Sequence, residues 1–480
     1  MIAKIDDFIK NKLSDKLMVI LGFVILGSFY FIGLLSYITV PIKPLYRLLV
    51  SSSTLAVVLR AVMCGLVCLY SLILIIKYRL KIKWTWLVIF CGVLLMTLVA
   101  ILISPLTYNY IYTDLYKVVY AVELNPGVTR TIVMYLSSVA DFAFAFCIVF
   151  ILPSIIHDKK KILYILIPIV AICLLECAYS IIKEKDNYIY LINHPDDPYG
   201  GYNHDIGATF GNKEDWGAFL TVSTCSALFS IYALKNTKKN LILKIGLGIC
   251  AVIFAVFAVL SLCKTAMLAI SLAFVGVLIG IIYFSIKKSK RAMIITISIV
   301  SVFVLTVILF FATKGFGVPI LNKAYEFLMK FIINKAGSAV ESRSSLWMNY
   351  AENVRGYNLF FGMGKNYVNS YTKMLQPDRQ SAIHNGFAYF FASYGLIGFM
   401  LLISLILISI YKIIKLWRYE RWLVFILLGI MCASISFILA EAEVLVVSTS
   451  APVFIYNILL VILPAGLVNY YEHKGVAYEN

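Results

Sequence analysis

Long apolar runs alternate with short polar segments along the whole chain. Each run contains about 20 residues, the length that an α-helix needs to cross a hydrocarbon core of about 30 Å. Twelve runs can be counted, at residues 17–38, 54–76, 84–104, 131–153, 162–182, 207–234, 241–262, 265–286, 292–313, 385–411, 421–440 and 449–470. The pattern therefore predicts an all-α polytopic membrane protein with about twelve transmembrane helices. The sixth run fits the pattern least well, because its first residues are polar.

Composition supports a membrane protein and excludes a water-soluble one. The 480 residues are 62% hydrophobic and 14% charged, with a mean hydropathy of +0.92. Average globular chains are about 45–50% apolar and about 25% charged. A soluble protein of this length could not bury so large an apolar fraction.

The formal charge of +18 is concentrated in short segments between apolar runs. These segments begin at residues 77, 157, 235, 287 and 411 and, together with the N-terminal segment, fall on one side of a twelve-helix arrangement. By the positive-inside rule, that side is cytoplasmic, and both termini are cytoplasmic. The excess of lysine and arginine therefore indicates topology, and we expect no nucleic-acid partner, since no basic soluble domain is left to bind one.

Segment lengths divide the chain into three parts. Residues 1–313 are predicted to form helices one to nine, with outer loops at 105–130 and 183–206. Residues 314–384 form the longest loop, which is long enough to suggest a function and has helical periodicity in "PILNKAYEFLMKFIINKAG" and "SSLWMNYAENV". Residues 385–480 are predicted to form helices ten to twelve and a cytoplasmic tail.

Two segments that precede the long loop contain candidate functional residues. The sequence "GATFGNKEDWGAFL", at 207–220, opens the sixth run with glycines, Asn212 and Lys213, and Asp205 lies just before it. The sequence "SLCKTAMLAISL", at 261–272, places Lys264 at the outer turn between runs seven and eight. An ionisable group at membrane depth is costly, so Lys264 is a candidate functional residue.

The long loop and its exit hold the remaining candidates. Arg343 precedes "LW", "NLFFGMGKN" places Gly362 and Gly364 in a tight turn, and "YGLIG" follows on the tenth run. His384 and Asn385 stand where the loop enters that run. Further candidates in outer segments are Arg355, Lys365 and Glu441.

Together, these segments resemble the O-antigen polymerase and ligase superfamily of bacterial envelope glycosyltransferases. Its members have about a dozen helices, similar to the GT-C class, and a long external loop between the ninth and tenth. The resemblance lies in the loop arginine, the "NLFFGMG" turn, "HN" before "YGLIG", and the order of "GATFGNKEDWGAF" and "CKTAML" before them. Two departures stand out: Lys264 replaces an arginine that is usual in the family, and "NKED" replaces "NPN".

The resemblance implies an activity, a location and partners. It implies a polysaccharide polymerase of the O-antigen or capsule type in the bacterial cytoplasmic membrane, with its active site outside. The donor would be an undecaprenyl-pyrophosphate-linked oligosaccharide and the acceptor a second one, with a chain-length regulator left open as a further partner. We expect no cofactor and no metal, because no carboxylate cage is evident at the bundle mouth.

The resemblance also implies residue roles for an inverting displacement. His384 would take the acceptor proton, since an alcohol needs a base at neutral pH. Arg343 and Lys264 would stabilise the departing pyrophosphate, with Arg355 and Lys365 in reserve. Substrate contacts elsewhere are assigned to residues that share an outer position: Asn385, Asn212, Lys213, Glu441 and Asp205.

Structural alternatives stay open for these residues. His384 could lie at the bilayer surface without reacting, Lys264 could extend its amine to the interface, and Asn385 could only cap its helix. The loop "HPDDPYGGYNHD" could hold a metal, although its prolines and glycines favour a plain surface turn. At the level of function, the alternatives are a ligase with another acceptor and a flippase for lipid-linked sugar.

Overall fold

The computed structural model describes most of the predicted spans. The described residues are 14, 17–18, 20–21, 53–80, 84–96, 98–99, 139, 142–156, 158–195, 206–210, 213–333, 356–362, 385–440 and 451–474. All regular structure within them is helical. The predicted all-α class of a polytopic membrane protein is therefore confirmed.

The helices are numbered here in chain order. They are α1 (Ser53–Tyr78), α2 (Trp84–Met96), α3 (Phe142–Ser154), α4 (Lys159–Lys183), α5 (Lys185–Asn193), α6 (Lys213–Ala233), α7 (Lys238–Leu260), α8 (Lys264–Lys288), α9 (Lys290–Ala312), α10 (Pro319–Ile333), α11 (Tyr357–Phe361), α12 (Gly386–Lys415), α13 (Arg421–Ala440) and α14 (Pro452–His473).

Eight of the helices in the described ranges are long and apolar enough to cross a membrane: α4, α6, α7, α8, α9, α12, α13 and α14. The apolar helices α1, α2 and α3 fall within the predicted second, third and fourth spans, and most of the first span lies outside the described residues. A total of twelve spans stays a prediction. The sixth span begins at Lys213 and not at residue 207, because residues 208–210 form a turn.

Helices α8 and α13 run in opposite directions. Two glycine contacts show this. Gly276 of α8 lies against Gly429 of α13. Gly280, four residues later on α8, lies against Trp422, which is seven residues earlier on α13. A Cβ atom on Gly276 would lie 2.5 Å from the Cα of Gly429. Small residues thus let the two backbones approach closely, as is typical of helix pairs in membranes.

We name the two sides by a charged residue. The Glu420 end contains the start of α4, the end of α6 and the segment between α12 and α13. The Lys264 end contains the starts of α6, α8 and α12. Basic segments at 158–161, 235–244, 287–291 and 412–421 all lie at the Glu420 end.

Helix α6 lies in the centre of the bundle although it is the least apolar span. Of its apolar window, 83% is buried, against 0% for α9, whereas its mean hydropathy is 1.3 against 2.9. Three of its hydroxyl groups donate to the carbonyl oxygens one turn earlier: Thr221 to Gly217 at 2.8 Å, Thr224 to Leu220 at 2.9 Å and Ser226 to Val222 at 2.7 Å. Hydroxyl side chains satisfied within the helix can face protein without an unpaired polar group, whereas α9 offers an apolar surface suited to lipid.

Candidate functional site

The first contact of the candidate site joins α6 to α8 at the Lys264 end. Gly217, in the second turn of α6, leaves no room for a side chain. A Cβ atom there would lie 2.5 Å from the Sγ of Cys263 and 2.9 Å from the Cβ of Ala266. Two motifs that are separated by about fifty residues in the printed sequence are therefore packed against each other.

Lys264 begins α8 directly after a tight turn. Leu262 adopts a left-handed backbone conformation with φ of 58°, and Cys263 precedes the helix in an extended conformation. The turn directs the chain from α7 into α8 with almost no loop, which keeps Lys264 at the bundle mouth. The Nζ atom of Lys264 is buried in protein. A buried cation at a helix N-terminus lies where the partial charge of the helix is also positive, so this position suits an anionic ligand.

Lys213 occupies the equivalent position on α6. It is half-buried and opens the helix, with Glu214 and Asp215 in the same first turn. Because α6 and α8 run in the same direction and touch through Gly217, Lys213 and Lys264 open two neighbouring helices at the same end. The structure therefore supports placing these two sequence candidates in one region.

Residues 207–210, which precede α6, are held by the last turns of α4. Glu184 accepts hydrogen bonds from the Gly207 amide at 3.0 Å and from the Ser180 hydroxyl at 2.9 Å. Lys183 donates to the Ala208 carbonyl at 2.5 Å. These contacts fix the backbone of the glycine-containing segment against a transmembrane helix.

Two further side chains complete this attachment. Thr209 donates to the carboxylate of Glu176 at 2.9 Å, and the hydroxyls of Ser180 and Tyr188 lie 2.7 Å apart. Burial raises the pKa of the Tyr188 phenol, which therefore stays a neutral hydrogen-bonding group. The sequence interpretation missed Glu176, Lys183 and Glu184. An acidic residue inside the fifth apolar run was the available signal.

Asn385 caps α12. Its side-chain oxygen accepts a hydrogen bond from the Ala388 amide at 2.9 Å, and its backbone is extended at the point where the helix begins. The capping alternative is thus confirmed, and a substrate contact by Asn385 stays a prediction. The cap fixes the start of α12 at Gly386.

Two glycines connect α12 to the short helix α11. Gly395 interrupts α12 with φ of 66°, and Gly362 ends α11 with φ of 78°. A Cβ atom on Gly395 would lie 2.3 Å from the carbonyl carbon of Phe360, and one on Gly362 would lie 2.3 Å from the carbonyl oxygen of Ser393. We call this contact the Gly362–Gly395 contact. It confirms the prediction that these glycines serve turn geometry and close packing, and it holds part of the long loop against the first turns of α12.

Several predicted site residues fall outside the described part of the chain. They are His384, Arg343, Arg355, Lys365, Asn212, Asp205 and Glu441. Their roles stay predictions. His384 is nevertheless covalently joined to Asn385, and Arg355 is joined to Gly356, which precedes α11.

The described residues include side chains of the types that can bind a metal ion. Within the ranges given above, no group of three or more His, Cys, Asp or Glu side chains is placed to hold a metal ion. His194 follows α5, and its ring stacks on Tyr190 with 4.4 Å between ring centroids. The other potential ligands of that loop lie outside the described residues.

The Glu420 end carries a second buried charge with a different environment. Glu420 accepts hydrogen bonds from Lys159 at 2.6 Å, from the Tyr232 hydroxyl at 2.5 Å and from the Tyr471 hydroxyl. These partners come from α4, α6 and α14. The carboxylate therefore ties the start of α13 to three other helices, a structural role that the sequence interpretation did not foresee.

Comparison with known proteins locates the family signal in the second half of the chain. A family model described as O-antigen ligase matches residues 249–403. This region runs from within α7 to within α12 and contains Lys264, Arg343, His384 and Gly395. No curated protein matches the chain. The predicted resemblance to the O-antigen polymerase and ligase superfamily is confirmed over the matched region.

Proposed function

We propose that this chain, which carries the O-antigen ligase family signal over residues 249–403, is a membrane glycosyltransferase that polymerises a polysaccharide repeat. It transfers glycan from an undecaprenyl-pyrophosphate donor to a hydroxyl group of a second lipid-linked oligosaccharide. The bundle lies in the bacterial cytoplasmic membrane with both termini in the cytoplasm, and the Lys264 end faces outside.

The observation that carries the proposal is the position of Lys264. It lies inside the matched region, its Nζ atom is buried, and it opens a helix at the end opposite the basic segments. An amine in this position favours a ligand with concentrated negative charge. A lipid pyrophosphate on the outer leaflet supplies that charge at the right depth of the membrane.

The proposed reaction is a single displacement at the anomeric carbon. The oxygen of the acceptor hydroxyl forms a bond to that carbon while the bond from the carbon to the pyrophosphate oxygen breaks, so the configuration inverts. The acceptor proton passes to His384, whose neutral imidazole can act as a base near neutral pH. The electron pair of the broken bond leaves on the lipid pyrophosphate.

Cationic side chains would stabilise the leaving group. We assign this role to Lys264 and Arg343. Arg355 and Lys365, which belong to the same long loop as Arg343 in the sequence, are the reserve candidates. Charge-assisted hydrogen bonds to phosphate oxygens become stronger as negative charge develops, so they favour the transition state over the bound donor. Lysine at position 264 supplies a point charge where the family more often has the bidentate guanidinium of arginine.

The glycan would be held by polar residues around the same mouth. Lys213 opens α6 and Asn385 caps α12, whereas Asn212, Asp205 and Glu441 are assigned from their positions in the sequence alone. Of these, Lys213 and Asn385 lie at helix starts at the Lys264 end. The hydrogen bonds that attach residues 207–210 to α4 would keep Lys213 in a fixed position.

Two alternatives lead to different products. A ligase would move the finished glycan to a different acceptor, and a flippase would move lipid-linked sugar across the membrane without changing its length. The burial of Lys264 at one end of the bundle favours a reaction at one surface over a pathway through the centre. The centre of the bundle instead contains α6, in which the hydroxyls of Thr221, Thr224 and Ser226 bond to their own helix.

The test is a transfer assay with the full chain in liposomes. Lipid-linked repeat units of one length are added to the outer side, and product length is followed by gel electrophoresis. A polymerase yields a ladder of longer lipid-linked products from the repeat alone, and a ligase yields product only after another acceptor is added. Movement of substrate with no new glycosidic bond under either condition would refute the transferase proposal.

A further inference from the structure

A cavity lies at the Glu420 end, far from the proposed site of transfer. Its volume is about 610 Å³, within the range of about 300–1,000 Å³ that is typical of small-molecule sites. It lies between the first turns of α4 and the connection from α6 to α7. Its lining residues are Lys160, Leu163, Tyr164, Ile167, Pro168, Ala233, Leu234, Lys235 and Asn240.

The cavity changes from polar to apolar along the membrane normal. Lys160, Lys235 and Asn240 lie at the level of the basic segments, where head groups are found. Ile167 and Pro168 lie about 12 Å further along α4, at 1.5 Å per residue, and face the hydrocarbon region. A ligand that fits this gradient has an anionic group at one end and an apolar body at the other.

The charges at the mouth are available to a ligand. Lys159, the neighbour of Lys160, is bound to Glu420 at 2.6 Å. The side chains of Lys160 and Lys235 are instead exposed at the cavity. The carboxylate of Asp158 accepts from the backbone amide of Lys160 and serves to cap α4.

The polar wall at Lys235 is fixed by its own loop. The side-chain amide of Asn240 donates to the Lys235 carbonyl at 3.0 Å. The hydroxyl of Thr237 caps α7 by accepting from the backbone amide of Asn240 at 3.2 Å. Lys244 binds the Asn236 side chain at 2.6 Å in the same turn. These contacts hold the connection in one shape, so that the cavity is preformed on this side.

We propose that this cavity binds one anionic phospholipid of the leaflet on the Glu420 side. The phosphate lies between Lys160 and Lys235, and an acyl chain follows the apolar wall formed by Leu163, Ile167 and Leu234. Basic pockets between transmembrane helices on the cytoplasmic side are suited to anionic head groups, and each nearby lysine adds to the attraction. The proposal is independent of the transferase reaction, since it uses the opposite end of the bundle.

The proposal is tested by counting bound lipids on the purified full chain. Native mass spectrometry in detergent follows the binding of dioleoylphosphatidylglycerol and of dioleoylphosphatidylcholine. We expect one phosphatidylglycerol to bind in preference to phosphatidylcholine. The double variant Lys160→Gln with Lys235→Gln should weaken phosphatidylglycerol binding by about 10- to 30-fold, the effect expected for two surface lysines.

A matched control separates the cavity from the general basic surface. The double variant Lys161→Gln with Lys239→Gln removes one lysine from each of the same two segments, and neither residue lines the cavity. It should reduce binding less than the first double variant does, because neither side chain lines the cavity that holds the phosphate. Equal losses in both double variants, or equal binding of the two lipids by the unaltered chain, would overturn the proposal.

A second variant keeps the charges and fills the space. Ala233→Phe adds a ring at the cavity wall and leaves both lysines in place. The proposal expects it to reduce phosphatidylglycerol binding as well, because the apolar part of the lipid loses its place. Unchanged binding in this variant together with unchanged binding in the Lys160 and Lys235 variant would exclude the cavity as the site.

Discussion

The two ends of the bundle hold buried charge in different ways. At the Glu420 end, one carboxylate accepts hydrogen bonds from a lysine and two tyrosines of three other helices. At the Lys264 end, an amine is buried at the start of a helix, where the helix dipole opposes it. The first arrangement joins α4, α6 and α14 to the start of α13, and the second places a positive charge at a helix N-terminus inside the region that the family model matches. The difference separates a charge kept for structure from one that we assign to function.

The largest expected effect concerns the base. His384→Ala should lower the rate of glycan transfer by about 10²- to 10⁴-fold, the usual contribution of general acid–base catalysis. Its thermal stability should stay close to that of the unaltered chain. The matched control is His473→Ala, at the end of α14 on the Glu420 side. Undiminished product from His384→Ala would remove the base from the account, and an equal loss in both variants would point to folding.

The second prediction concerns Lys264 and separates activity from stability. Lys264→Met should lower transfer by about 10²-fold, since removal of one preorganised group at developing charge costs about 10²–10³. Thermal unfolding of the same variant is measured beside transfer, so that a loss of activity is separated from a loss of folding. Lys264→Arg should keep much of the activity. Full activity in Lys264→Met would show that this amine does not serve the leaving group.

The third prediction concerns the Gly362–Gly395 contact. Gly395→Ala should lower stability by about 2–4 kcal/mol and reduce transfer with it, because the new Cβ meets the Phe360 backbone and a positive φ is strained for alanine. Gly248→Ala in α7 is the control, since nothing lies within 4 Å of a Cβ atom there. Stability is measured by thermal unfolding in detergent. Equal stability of the two variants would contradict the packing role of Gly395.

The smallest expected effect on activity lies at the Glu420 end. Glu420→Gln should lower stability by about 2 kcal/mol, because Lys159 loses its ion pair while the tyrosine hydroxyls keep an acceptor. Transfer per folded molecule should stay within about 2-fold, as expected for a residue without contact to substrate. Thermal unfolding and the transfer assay are measured on the same preparation. A loss of transfer at unchanged stability would make Glu420 functional and end the contrast between the two ends.

Much of the fold is predictable from the sequence because lipid imposes a simple rule. Apolar runs must be helices of membrane length, and eight such helices occur where the described residues allow the comparison. The boundaries of α6 were less predictable. The residues that precede it are polar and turn-forming, and its buried hydroxyl groups lower its mean hydropathy. The start at Lys213 therefore depends on contacts with α4 and α8, which no local sequence pattern encodes.

The positions of Lys264 and of the packing glycines were predictable from the sequence, whereas the contacts around them were not. Lys264 stood out as a charge at membrane depth, and the glycines of α11 and α12 were expected to pack closely, which the structure bears out. Glu176 and Glu184, which support the candidate site, were missed, and so was Glu420 at the opposite end. Their partners come from distant segments, for example Gly207 for Glu184 and Tyr471 for Glu420, and tertiary pairing of this kind leaves no periodic signal in a single sequence.

The account depends most on where the donor pyrophosphate binds. The direct measurement is a cryo-electron microscopy map of the full chain with a non-reactive analogue of a lipid-pyrophosphate oligosaccharide. The account predicts pyrophosphate density at the start of α8, about 2.7–2.9 Å from the Nζ atom of Lys264, with the sugar beyond the start of α12 beside His384. Density for the pyrophosphate at the Glu420 end, or a Lys264 amine closed off from any bound head group, would contradict it.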